Sequence, residues 1–167
     1  MLTRRATRAE ERVSPADLAA AAYSALTWIV ILPVTLLHEL AHVLASLSVG
    51  HGFKGTGVML EPIGTLGGRQ VYRVRAFFVV HEYIENRYVA AYVSLAPAAF
   101  IPLAQLAVET GAPVAVWLLF LLTGLTVISD VLSMAASRAG LDWTDGSTPV
   151  FLYGGPDQWQ TTLGEYQ

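Results

Sequence analysis

The sequence predicts an integral membrane protein, mainly α, with about three transmembrane helices and a small β-hairpin inserted between the first and the second. Three observations carry this prediction. The 167 residues are 54% hydrophobic and only 14% charged, with a mean hydropathy of +0.50, against about 25% charged in an average globular chain. Such a chain has too few polar side chains to cover a water-facing surface. Three apolar stretches, 18–49, 88–108 and 113–140, are each long enough to cross a hydrocarbon layer of about 30 Å. Between the first two lies a glycine-rich segment that runs into an alternating pattern, the period of a β-strand.

Taken in order, residues 1–13 are polar and read as a mobile N-terminal segment. Arg4, Arg5, Arg8 and Arg12 give it the basic character of a signal-peptide flank. The apolar segment that follows is too long for a signal peptide and has no clear small-residue cleavage site, so it reads as a retained span. Ser14, Pro15 and Asp17 form a helix start: an N-cap, a proline at the first helical position and the acid of a capping box. As one helix, Leu18 to Val49 is about 50 Å long, more than a bilayer core needs. It must tilt, protrude or bend, and Pro33 is the place to expect a bend. Gly50 ends it.

The insert, about 53–80, pairs VMLEPIGTL with VYRVRAFFVV through a turn at Gly67-Gly68. The 21 residues from Tyr88 to Val108 form the second span, where Pro97 and Pro102 favour a kink. The third begins at Pro113 and stops near Gly140; before Arg138 its only charge is Asp130. Residues 14–140 therefore read as one membrane domain, and 141–167 as a polar, turn-rich tail carrying Trp143, Phe151, Tyr153 and Trp159. Four basic residues fall on the N-terminal side of the spans and six on the other, a difference too small to set orientation. Nothing in the sequence sets an oligomeric state. A net charge of -3 and the lack of a basic, aromatic-interleaved patch argue against nucleic acid, and the absence of cysteine excludes disulfides and thiolate metal sites.

The chemistry concentrates in His38-Glu39-Leu40-Ala41-His42, the only cluster of charged or imidazole side chains between Asp17 and Gly50. Imidazoles four residues apart lie on one helix face and can ligate the same metal, with Glu39 beside it as general base on a water. Ionisable groups are costly in apolar helices and are functional there by default. Zinc in a catalytic site takes three protein ligands and leaves a position for water. A carboxylate deep in an apolar span makes Asp130 the candidate third ligand. The competing reading of Asp130 is a helix-packing aspartate bonded to Ser129, Ser133 or another span. His51 lies nine residues beyond His42, where a soluble metzincin has its third histidine six beyond, and reads as interfacial. His81, Glu82 and Glu85 stand among charges at a helix entrance and read as a solvated face.

A pentad at the end of a first membrane helix, a strand-like polar insert, Ser94-Leu95-Ala96-Pro97 in the second span and Ser129-Asp130 in the third resemble the intramembrane zinc metalloproteases of the site-2 protease group. The resemblance is closer still to small zincin-type membrane peptidases, and it covers roughly residues 25–140. It implies His38 and His42 as zinc ligands, Glu39 as base and Asp130 as third ligand, with Ser94, Pro97 and Ser129 in support. One departure stands out. The group usually has Asn-x-x-Pro with its aspartate soon after, whereas here Ser94 replaces that asparagine and Asp130 lies 33 residues beyond Pro97.

The expected activity is zinc-dependent hydrolysis of peptide bonds in a membrane protein or membrane-associated peptide, by a multi-pass enzyme in the bilayer. A strand of the hairpin would hold the unwound substrate by β-addition. The alternative is a membrane zinc-binding or regulatory protein without turnover, in which Glu39 has no purpose. A purely structural three-span protein leaves His38, Glu39, His42 and Asp130 unexplained.

Overall fold

The computed structural model describes residues 13–82, 84–138 and 148–154; the expectations for residues 1–12 and for most of the tail lie outside these. Helix α1 (Pro15–Ser48) opens with a reciprocal capping box. The Ser14 hydroxyl accepts the Asp17 N–H at 3.1 Å, and the Asp17 carboxylate accepts the Ser14 N–H at 2.9 Å. The helix runs through Pro33 as a single element and stops where Gly50 takes a φ of 82°, the left-handed conformation that glycine adopts without strain. Its buried side chains are Thr27, Val34, His38, His42, Ala45 and Ser46, which the helical repeat places on one face. Leu26, Ile29, Leu36, Leu40 and Leu44 are exposed around the rest of it.

Strands β1 (Phe53–Leu66) and β2 (Arg69–His81) pair antiparallel as the alternation predicts. Gly67 and Gly68 both have positive φ, as a two-residue hairpin turn requires. A register shift opposite Met59 and Leu60 leaves Arg75 bulged between Val74 and Ala76. The tail, read from sequence as polar and turn-rich, supplies a third strand, β3 (Thr148–Tyr153), and the sheet order is β2-β1-β3. Backbone groups on the second edge of β1 need partners, and the apolar run at 149–153 provides them while Phe151 meets the Phe78 ring edge-on at 5.6 Å.

The outer edge of β2 is satisfied by α1. The N–H groups of Val74, Phe77 and Val79 donate to Thr27 Oγ1, Thr35 Oγ1 and Glu39 Oε2 at 3.0, 2.8 and 3.1 Å, and the Ser24 hydroxyl donates to Tyr72 O. Polar residues spread along an apolar helix thus do for β2 what another strand would do. A strand adding to β2 over residues 74–79 would have to displace α1.

The second apolar segment is α2 (Arg87–Leu95), a 3-10 turn at Ala96–Ala99 and α3 (Phe100–Glu109). The break comes at Pro97; Pro102 falls in the first turn of α3, where a missing N–H costs nothing. The third is α4 (Val114–Leu125) followed, across Thr126, by α5 (Val127–Arg138). Helices α3 and α4 approach closely at Gly124, where a Cβ would stand 2.6 Å from Ile101 Cγ1 and 3.0 Å from the Ile101 backbone nitrogen. Pro15–Ser48, Arg87–Glu109 and Val114–Leu132 are long and apolar enough to cross a membrane. Helix α1 contacts both the sheet and the other helices, so its buried face looks into the junction of both.

Candidate metal centre

His38 and His42 stand one turn apart on the buried face of α1, with their Nε2 atoms 3.0 Å from each other. Asp130, in the first turn of α5, brings Oδ2 to 3.2 Å from His38 Nε2 and 3.4 Å from His42 Nε2. The far side of each ring is held by a different element. His42 Nδ1 lies 2.7 Å from Val93 O, and a carbonyl only accepts, so Nδ1 carries the hydrogen. His38 Nδ1 lies 2.6 Å from Thr126 Oγ1, whose own hydrogen is directed to Thr123 O, so the hydroxyl accepts here too. With both rings protonated at Nδ1, both Nε2 atoms present lone pairs beside a carboxylate oxygen. Asp130 Oδ2 is buried with no hydrogen-bond donor among the described residues. Three acceptor atoms thus converge on one point, and this group can hold a metal ion.

The local sequence explains why these outer partners are free to act. In an uninterrupted helix Val93 O would receive the N–H of residue 97, but that residue is proline. Its carbonyl takes a 3-10 bond from Ala96 and still has a lone pair for His42. Ser94 is half-buried on α2, and the contact to the histidine is made by Val93 beside it. Pro97→Ala would restore a donor that competes with His42 for Val93 O. Metal affinity is expected to fall roughly 10- to 100-fold, the usual effect of losing an outer-shell partner, as read by competition with a chromophoric chelator. An unchanged affinity would show that the ring is oriented by something else.

On α4–α5, Thr126 sits at the interruption between the helices and lies four residues before Asp130, so one helix face carries both the Thr126 hydroxyl and the Asp130 carboxylate. Ser129 is exposed and donates to Thr126 O at 2.6 Å.

Glu39 is turned toward the sheet, where Oε2 accepts the Val79 N–H. A cavity of about 420 Å³ opens between α1, β2 and α5, lined by His38, Glu39, Arg75, Phe77, Thr126 and Asp130 among others. Arg75 stands 3.5 Å from Glu61 on β1, and Arg73 pairs with the same carboxylate, so this flank of the cavity is charged.

His51 is half-buried after α1, its carbonyl accepting the Ser46 hydroxyl, and stands apart from the His38–His42–Asp130 group. His81 differs from its sequence reading. It ends β2 with its ring 6.0 Å from that of His42 and nearly perpendicular to it, and both ring nitrogens are buried. Burial, with His42 adding to it, pushes its pKa down to about 4, so the ring is neutral at pH 7. The adjacent Glu82 does face solvent, bonding the Gly52 N–H. The strand carries the histidine inward one residue before the charged run begins. Comparison of the chain with protein-family models, curated proteins and solved structures finds no match.

Proposed function

We propose that the protein is a multi-pass, zinc-dependent intramembrane endopeptidase, with His38, His42 and Asp130 as zinc ligands and Glu39 as general base. One observation carries the proposal: the donor atoms form a triangle with sides of 3.0, 3.2 and 3.4 Å. Tetrahedral zinc with bonds of about 2.0–2.1 Å separates its ligands by roughly 3.3–3.4 Å, so the triangle fits with small adjustments. Three protein ligands leave a fourth position, the pattern of a catalytic rather than a structural zinc. The proposal that lipid surrounds the helices is supported by the exposed leucines and isoleucines of all three apolar segments.

Bound zinc would lower the pKa of a water toward 7 and polarise a substrate carbonyl. The rest is done by the chain. Oε2 of Glu39 is held by Val79, which leaves Oε1 to take a proton from the attacking water and return it to the amine as the C–N bond breaks. Val93 and Thr126 fix the imidazole rings so that neither turns its N–H toward the centre. The cavity beside Glu39, lined by Phe77 and Phe78 as well as by the polar groups of the centre, would admit the unwound segment of a membrane-associated peptide.

The test is to purify the chain in detergent, measure metal content, and assay cleavage of single-span reporter peptides in liposomes. One zinc per chain and chelator-sensitive cleavage are expected. Stoichiometric zinc with no cleavage of any reporter would favour a non-catalytic zinc protein, and absence of zinc uptake would remove the metal reading.

A further inference from the structure

Beside the metal-binding group stands the imidazole of His81, whose two nitrogens are buried and have no hydrogen-bond partner among the described residues. Leaving polar atoms of this kind unsatisfied costs free energy, and native proteins hold few of them, a bound water or ion or a catalytic role being among the reasons. Its position is fixed from two sides. The ring stands edge-on to His42, 6.0 Å between centroids, and the strand that carries it is tied to the base through Val79, two residues earlier. The backbone N–H of Val79 and the ring of His81 are thus two residues apart at the end of β2, one against Glu39 and the other against His42. His81 is not among the residues whose donor atoms lie within 4.8 Å of one another, so it stands outside the ligand triangle.

We propose that His81 is a further residue of the site, donating its ring N–H to an oxygen of whatever occupies the fourth position of the metal. For a peptide substrate that oxygen is the scissile carbonyl oxygen as it gains negative charge, and a donor placed for it acts mainly in the transition state. The inference rests on reading the centre as a metal site, but it does not require peptidase activity.

Cobalt can replace zinc and reports its ligands through its visible spectrum, and acetohydroxamate offers a metal-bound oxygen anion as probe. The experiment compares the cobalt-loaded wild type with His81→Ala and His81→Gln. All three are expected to take up cobalt equally and to show the same spectrum before the probe is added. The alanine variant is expected to bind acetohydroxamate about 10- to 100-fold more weakly, the range for losing a hydrogen bond to a charged group. Glutamine, which still carries an N–H, is expected to recover part of that loss. Equal affinity in wild type and alanine variant would overturn the proposal. So would a changed cobalt spectrum or lost cobalt in the variants, which would make His81 a fourth ligand. Failure of the wild type to take up cobalt would remove the metal reading and this proposal together. Probe binding that depends on His81, without cleavage of any peptide, would leave this proposal standing and remove only the peptidase.

Discussion

Replacing Asp130 with asparagine is expected to cut metal affinity by more than the roughly 10- to 100-fold that outer partners contribute, while the helices stay in place. Asparagine has almost the same shape as aspartate, so the packing of α5 against the histidines is kept and one acceptor oxygen still lies near 3.2 Å from His38 Nε2. The charge is what goes. As ligands both imidazoles would be neutral, so Asp130 would supply the only negative charge among the three donor atoms facing a divalent ion. In an apolar surrounding an unbalanced double charge is far less tolerable than in water. Chelator competition on purified protein measures the loss, and circular dichroism with thermal melting of the metal-free chains checks that the fold is unchanged. Wild-type affinity in the asparagine variant would remove Asp130 from the ligand set and reduce it to a helix-packing group.

Asp130 also shows which parts of the centre a sequence makes visible. A carboxylate in an apolar span stands out because its cost demands a reason, and the pentad stands out because the helical period puts both imidazoles on one face. The hairpin was legible from its alternation and from a glycine pair suited to a tight turn. The partners that orient the rings left weaker traces. Val93 acts through its carbonyl, which has no side-chain signature; Pro97 four residues later was the available clue, since it withdraws the competing N–H. Thr126 could be suspected only from its place one helical turn before Asp130, because threonines in apolar helices commonly bond their own backbone. His81 was obscured by the charges that follow it and by the bulge at Arg75, since continuing the strand period of 71–76 puts residue 81 on the face of Arg73 and Arg75. Strand β3 depends on pairing with residues some 90 positions away, which local pattern does not encode.

Glu39 is the residue for which chemical and structural roles must be separated, because its carboxylate faces the cavity and also holds β2. Glu39→Gln keeps an amide oxygen for the Val79 N–H but cannot take a proton. It is expected to lower kcat by about 10²- to 10⁴-fold, the usual contribution of a general base, with metal content and melting temperature close to wild type. Glu39→Ala removes the acceptor as well. It leaves the Val79 N–H without its bond and is expected to lose about 1–3 kcal/mol of stability besides the activity. Cleavage of a membrane reporter, zinc content and thermal melting, measured on both variants, distinguish the cases. Wild-type activity in the glutamine variant would show that Glu39 serves only to tie α1 to the sheet, and loss of zinc in it would place the carboxylate among the metal ligands. A glutamine variant that is folded, loaded with zinc and inactive would mean that the helix holding the strand edge also presents the base, so that whatever seats β2 against α1 positions the proton acceptor.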